Sequence, residues 1–91
     1  MSPATDTGRV RAVVEILARA LTDRPDDVKV IESQHKGTTL VELYVAPGEL
    51  GRVIGRQGRT AAALRTLAAT AGEKEGKTVT LEIRDTPYKG S

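Results

Sequence analysis

The segment 50–72 has the apolar spacing of a helix, but two glycines, Gly55 and Gly58, interrupt it after one turn. The spacing therefore predicts two consecutive helices joined by a tight turn. The first carries Leu50, Val53 and Ile54. The second runs from Arg59 to about Ala71, with Gly72 as its stop and these residues facing inward: Ala61, Leu64, Leu67, Ala68 and Ala71.

Three segments around this helix pair alternate between apolar and polar residues, which is typical of half-buried strands. They span residues 28–32, 39–45 and 79–84. The turn residues His35, Lys36 and Gly37 predict that the first two strands form a hairpin. The strands before and after the helix pair are expected to run parallel, because a crossover of this length requires it.

The N-terminal part predicts one more helix, in which six apolar residues recur at helical spacing up to Leu21. Asp6 or Thr7 is its expected N-cap, and Pro25 ends the helical pattern. The predicted fold class is α+β, in the order α-β-β-α-α-β, with a three-stranded mixed sheet and three helices packed on one face. We expect one domain at residues 8–85, a flexible lead at 1–7 and a flexible tail at 86–91.

The surplus positive charge of the chain lies in the segment 50–72. This segment has four arginines and no acidic residue, whereas the rest of the 91-residue chain has ten basic and twelve acidic residues. Unopposed positive charge in one segment is expected of a surface that binds anions. A solvated arginine-rich helix is the alternative interpretation.

Gly55-Arg56-Gln57-Gly58 lies inside this basic segment. A G-x-x-G pattern alone carries little information, since nine glycines give about one match by chance and Gly48 to Gly51 is a second match. Here, however, the backbone N–H groups at the start of the following helix are expected to be unpaired, so that they and the positive helix dipole can face a phosphate. Arg52, Arg56 and Arg59 would neutralise phosphates, and Val53 and Ile54 would form an aliphatic groove for unstacked bases. The alternative is a helix-hairpin turn whose glycines only permit tight packing.

The octapeptide Val53-Ile54-Gly55-Arg56-Gln57-Gly58-Arg59-Thr60 resembles the signature of KH domains, in which a GXXG loop clamps about four nucleotides. The element order resembles the type II arrangement of that domain. From about Gly8 to Arg84 the chain is similar to the KhpA family of small bacterial RNA-binding proteins, and the segment Leu64-Arg65-Thr66-Leu67 also fits this family.

The resemblance implies a non-catalytic protein that binds single-stranded RNA, as an RNA chaperone or post-transcriptional regulator linked to cell elongation and division. It further implies a homodimer and a larger KhpB (Jag-type) KH protein as partner. The predicted RNA contacts are Gly55, Arg56, Gln57, Gly58, Arg52, Arg59, Val53, Ile54, Arg65 and Lys36. Ala62 stands where relatives often carry a basic residue, which predicts weaker RNA affinity.

Other functions find little support in the sequence. His35 is the only histidine, and no candidate nucleophile lies near it, so we expect no enzyme. Neither a metal-ligand spacing nor a nucleotide-binding glycine motif occurs, so we expect no metal and no cofactor. Two tyrosines as the only aromatic residues disfavour modules that stack bases on aromatic rings. No membrane span or signal peptide is predicted, which places the protein in the cytoplasm.

A protein-interaction module with weak or no RNA binding is the remaining alternative. Ile31, Leu40 and Tyr44 are expected on the sheet face away from the helices, where they would form a modest apolar patch. Scattered apolar residues on a half-solvated sheet would have the same pattern, so this alternative stays open.

Overall fold

The computed structural model describes residues 3–85, with side chains from residue 9 onward. Within this range the elements follow the predicted order, and short 3-10 turns at Pro25–Asp27 and Arg56–Gly58 connect some of them. The helices and strands are α1 (Pro3–Leu21), β1 (Lys29–His35), β2 (Thr38–Val45), α2 (Leu50–Ile54), α3 (Arg59–Glu73) and β3 (Thr78–Asp85).

The sheet has the order β1-β2-β3, with β2 in the centre. β1 pairs antiparallel with β2 from Lys29 opposite Tyr44 to His35 opposite Thr38, and β3 pairs parallel with β2. The predicted hairpin and the predicted parallel crossover are therefore both confirmed. Only two residues, Lys36 and Gly37, connect β1 to β2, and both have positive φ (45° and 84°), as in a type I′ turn.

One face of the sheet carries the core. Along β2, every second side chain is fully buried, because it points to the helices. The core consists mainly of small aliphatic side chains, to which each of the three helices and three strands contributes at least one: Val10, Val14, Ala18, Val28, Val30, Val41, Leu43, Val45, Val53, Leu64, Ala68 and Leu81. Three helices on one face of a three-stranded mixed sheet form an α+β domain of the predicted class.

Helix α1 begins earlier than the sequence predicts. It starts at Pro3, so the expected cap residues Asp6 and Thr7 lie inside the helix, and the predicted lead 1–7 overlaps it. Proline is favourable in the first helical turn, because its φ is already helical and its missing N–H has no partner there in any case. The predicted tail 86–91 lies outside the described residues.

Two predictions for α3 are wrong. Leu67 is 47% exposed rather than inward, because the buried stripe runs through Ala61, Leu64, Ala68 and Gly72, about 100° away around the helix. Gly72 does not stop the helix. The helix ends in a Schellman motif around Gly76, in which the Lys77 N–H donates to Gly72 O at 2.8 Å and the Gly76 N–H to Glu73 O at 3.1 Å.

Gly72 is instead required for packing. A Cβ at this position would overlap Cγ2 of Val79 and lie 3.1 Å from the carbonyl oxygen of Lys77. The absence of a side chain therefore lets α3 approach the start of β3. This close approach fixes the distance between the helix and the sheet at the end of α3 that is remote from Gly55 and Gly58.

Candidate nucleic-acid interface

The loop Gly55-Arg56-Gln57-Gly58, named the GXXG loop below, turns the chain sharply between α2 and α3. Its first residue closes α2, since the Gly55 N–H donates to Gly51 O at 2.9 Å. Gly58 then donates its N–H to Gly55 O at 3.1 Å, which closes a single 3-10 turn. Gln57 has a left-handed backbone (φ 57°, ψ 24°), so three of the four loop residues have positive φ.

The two glycines have different physical roles. Gly55 has φ 76° and ψ 174°, a combination that is open essentially only to glycine, and a Cβ there would lie 2.7 Å from Cβ of Thr60. Gly58 is left-handed as well (φ 73°), but a Cβ would meet nothing within 4 Å. Gly55 is thus required by the fold, whereas Gly58 keeps open space in front of α3.

The N-terminus of α3 has no compensating group of its own. Its N-cap is Gly58, no side chain caps it, and its first turn contains no acidic residue. The 15-residue helix therefore presents an unopposed positive dipole end at the loop. The expectation of unpaired N–H groups at this point is wrong for Arg59, whose N–H donates to Arg56 O inside the loop.

Arg56 and Arg59 supply full positive charges beside this dipole. Both side chains are exposed, and the ion pairs formed by residues 9–85 include neither of them. Nη2 of Arg59 donates to Oε1 of Gln57 at 3.1 Å, a hydrogen bond to a neutral amide that leaves the guanidinium charge unmatched. Two guanidinium groups with no ionic partner among residues 9–85 therefore lie beside a helix start at one loop.

Arg52 lies in a different environment. Its Nη2 is 3.0 Å from Oδ2 of Asp23, and its Nε is 3.3 Å from Oε1 of Glu49. Two carboxylates thus already match its charge. The sequence pattern groups Arg52 with the loop arginines because the distant Asp23 gives no local signal, although Glu49 lies only three residues before Arg52.

The other predicted contacts are not all at the loop. Val53 is 0% exposed and belongs to the core, so its predicted contact with bases is wrong, whereas Ile54 is half-buried beside the loop. Arg65 lies further along α3, where its Nε donates to the carbonyl oxygen of Leu81 on the edge strand β3 at 3.3 Å. Lys36 lies in the hairpin turn, at the sheet end where α3 ends rather than where it begins. The predicted role of Lys36 in RNA binding stays a prediction.

Glu49 is the residue near the loop that sequence reasoning missed. It follows a turn formed by Pro47 and Gly48, is only 9% exposed and accepts hydrogen bonds from the Thr22 hydroxyl and from the Asp23 N–H (2.8 Å). These two donors, with Arg52 nearby, lower the pKa of the Glu49 carboxyl against the opposing effect of burial. Its partners come from a segment far away in the chain, so no motif could have predicted them.

Within residues 9–85, the side chains form no cluster of His, Asp and Glu that could hold a metal ion. No helix in the described part of the chain is long and apolar enough to cross a membrane.

An α-β-β-α-α-β domain whose two consecutive helices are joined by a GXXG loop is a KH domain of the type II arrangement. The family model for the KH domain of KhpA/KhpB matches residues 11–83. The chain belongs to the KhpA family of small bacterial KH-domain proteins.

Similar proteins support this classification. The chain is 49% identical over 74 residues to the RNA-binding protein KhpA of Aquifex aeolicus, an alignment that covers 81% of this chain and 94% of the relative. It is 45% identical to that of Clostridium perfringens, covering 81% of this chain and 99% of the relative, and 49% identical to that of Mycobacterium tuberculosis, covering 80% and 88%.

Two crystal structures of Era have a similar fold. One is bound to GDP and an aluminium fluoride, and the other is a complex with MgGDPNP and nucleotides of 16S ribosomal RNA. They give TM-scores of 0.59 and 0.60 at 21% identity, covering 88% and 89% of this chain. The chain spans about a third (32%) of the length of Era, and the likeness at this identity concerns the fold alone.

Proposed function

We propose that this protein is a non-catalytic RNA-binding protein that holds single-stranded RNA by its sugar-phosphate backbone at the GXXG loop. The observation that carries the proposal is the uncapped N-terminus of α3, with Arg56 and Arg59 beside it and no acidic residue in the first turn. The relatives named RNA-binding protein KhpA support the same conclusion.

The chemistry of the loop favours binding of the RNA backbone over recognition of the base sequence. Guanidinium groups and helix N-termini contact phosphates, which positions a nucleic acid without distinguishing its bases. One KH domain engages about four nucleotides, so useful affinity needs further contacts nearby. A homodimer or a KhpB-type KH partner would provide these contacts. We include in the proposal the role in cell elongation and division that the family resemblance implies. RNA in bacteria is found in the cytoplasm, so the proposed function implies a cytoplasmic protein.

The structure also dictates which variant tests the loop. A carboxylate at Gly55 would overlap Thr60, so its effect on RNA could not be separated from damage to the fold. Position 58 has open space and a left-handed backbone that both Asp and Asn tolerate. Gly58→Asp adds a negative charge in front of α3, and Gly58→Asn adds the same shape without the charge.

The experiment is fluorescence anisotropy with a labelled short single-stranded RNA of mixed sequence. We expect Gly58→Asp to weaken binding by at least about tenfold relative to Gly58→Asn, because the carboxylate repels phosphate. The wild-type affinity should fall as salt rises, since cations are released from the RNA. Equal affinity of the wild type and Gly58→Asp, with no response to salt, would contradict the proposal.

The interaction-module alternative has one specific observation in its favour. Ile31 is 42% exposed on the sheet face away from the helices, next to the half-buried Leu40 and Tyr44. The test is an Ile31→Ser variant, whose association with a protein partner or with a second copy is measured by sedimentation. Loss of that association with normal RNA binding would support an interaction role in addition to RNA binding.

A further inference from the structure

Four residues join the end of α1 to the start of α2, and we name them the α1–α2 latch: Thr22, Asp23, Glu49 and Arg52. Oε1 of Glu49 is the centre of the latch. It accepts a hydrogen bond from the Thr22 hydroxyl and another from the Asp23 N–H at 2.8 Å. The Thr22 oxygen in turn accepts from the Arg24 N–H at 3.1 Å, so the hydroxyl is engaged on both sides.

Glu49 occupies the N-cap position of α2 but does not cap it. A short polar side chain such as Asp at this position ordinarily accepts from the first N–H groups of its own helix. Here no side-chain cap is formed, and the carboxylate turns to α1 instead. The side chain thus serves a contact between two helices that are distant in the chain.

Arg52 completes the latch from one turn further along α2. Its guanidinium group bridges Glu49 (Nε to Oε1, 3.3 Å) and Asp23 (Nη2 to Oδ2, 3.0 Å). Its side chain is half exposed, so these pairs alone contribute little to stability. Their effect is to orient the guanidinium group toward two carboxylates, where it is not an open phosphate ligand.

The latch connects to the GXXG loop through unbroken backbone hydrogen bonds. The Arg52 N–H donates to Glu49 O at 3.0 Å, and the Gly55 N–H donates to Gly51 O at 2.9 Å. Helix α2 has five residues, about 7.5 Å in length, and a helix this short is not stable alone. Its orientation must therefore come from tertiary contacts, which include the buried Val53, Leu50 packed against the core, and the latch at its start.

We propose that the α1–α2 latch sets the orientation of the GXXG loop, and that Arg52 is a positioning residue rather than a phosphate ligand. This inference rests on the proposed function, because it assigns the latch a purpose in presenting the loop to RNA. The positioning itself, however, is a property of the free protein and can be measured without RNA.

The first test compares Thr22→Val, which keeps the side-chain shape but removes the hydroxyl, with Thr22→Ser, which keeps the hydroxyl. Hydrogen exchange is followed by NMR in the free protein, at a temperature where all variants are folded. In Thr22→Val we expect the loop amides of Gly58 and Arg59 to exchange faster relative to the core amides of β2. Thr22→Ser should retain wild-type exchange. Unchanged loop exchange in Thr22→Val would overturn the proposal.

The second test uses the salt dependence of RNA binding, which distinguishes a phosphate ligand from a positioning residue. Arg56→Ala should lower both the affinity and the slope of log affinity against log salt, by about 0.7 for one lost phosphate contact. Arg52→Ala should lower the affinity by about fivefold, the effect of one lost hydrogen bond, with the slope unchanged. A slope reduced as in Arg56→Ala would make Arg52 a phosphate ligand and overturn its assignment.

The two proposals fail in different ways. If the wild type does not bind single-stranded RNA, the proposed function is wrong, and the exchange experiment still decides whether the latch holds the loop. If Gly58→Asp loses RNA binding while Thr22→Val has unchanged loop exchange, the function stands and the latch is overturned.

Discussion

The side chain of Thr60 lies against the Cα atom of Gly55, so that a Cβ on Gly55 would be 2.7 Å from Cβ of Thr60. The first residue of the GXXG loop therefore packs directly onto the first turn of α3. This contact closes the loop over the helix start, and it explains why the two glycines of the motif are not equivalent.

Gly55→Ala is expected to lower the free energy of unfolding by about 2–3 kcal/mol, because it adds both backbone strain and a clash with Thr60. Gly58→Ala is the matched control. Gly58 also has a positive φ, but a Cβ there meets open space, so Gly58→Ala should lower the free energy of unfolding by about 1 kcal/mol. Chemical denaturation of both variants measures the difference, and equal costs would contradict the packing role of Gly55.

Gly72→Ala should destabilise the protein although it lies inside a helix. Replacing a helical glycine by alanine normally gains up to about 1 kcal/mol. Here the new Cβ would overlap Val79 and press on the Lys77 carbonyl, at a cost of about 1–3 kcal/mol. Gly51→Ala in α2, where a Cβ meets nothing within 4 Å, should stabilise instead. Thermal unfolding of the two variants should therefore shift in opposite directions.

The stability of the fold should depend on Glu49 in acid. The pKa of this carboxyl is lowered in the folded state from its ordinary value of 4.5, mainly by the Thr22 hydroxyl and the Asp23 N–H. The unfolded chain then binds more protons below pH 4.5, so stability is lost as pH falls through the folded pKa. Glu49→Gln should be less stable than the wild type at neutral pH, and this difference should shrink below pH 4.5 in urea unfolding. A constant difference would show that the charge of Glu49 does not contribute.

Lys36→Asn is expected to stabilise the protein by a few tenths to about 1 kcal/mol. Lys36 has φ 45° in the two-residue hairpin turn, and Asn-Gly is the preferred pair for such a turn. Lys36→Ala, which keeps the backbone strain and removes the charged side chain beyond Cβ, is the control. Thermal unfolding should rank the Asn variant above the wild type, and a lower melting temperature for Asn would argue against the turn assignment.

The sequence predicted those parts of the fold that depend on local pattern. The alternation of Val79, Leu81 and Ile83 identified β3, and the glycine pair located the turn between α2 and α3. Prediction from the sequence failed where the same residue pattern fits two structures and tertiary packing decides between them. A glycine such as Gly72 is typical of a helix end. Only the position of Val79 in the folded structure shows that Gly72 is needed for close packing of α3 against β3.

The candidate site followed the same rule. The loop and its two unmatched arginines were predictable, because motif and charge lie within a few residues of each other. The environment of Arg52 was only partly predictable, since Glu49 lies three residues before it but Asp23 lies 29 positions earlier in the chain. Val53 fits an aliphatic groove by residue type, but the core needs the same residue type and buries it completely.

The parallel pairing of β3 with β2 also has a kinetic consequence. Every residue of β2 pairs with a residue forty positions later, from Thr38 with Thr78 to Val45 with Asp85. A hairpin such as β1–β2 forms in about 1–10 μs, but contacts between such distant residues require the closure of a long chain segment first. Until β3 arrives, one edge of β2 has open backbone groups that can pair with another chain. Variants that weaken β3 should therefore aggregate during synthesis more than equally destabilised variants of the hairpin.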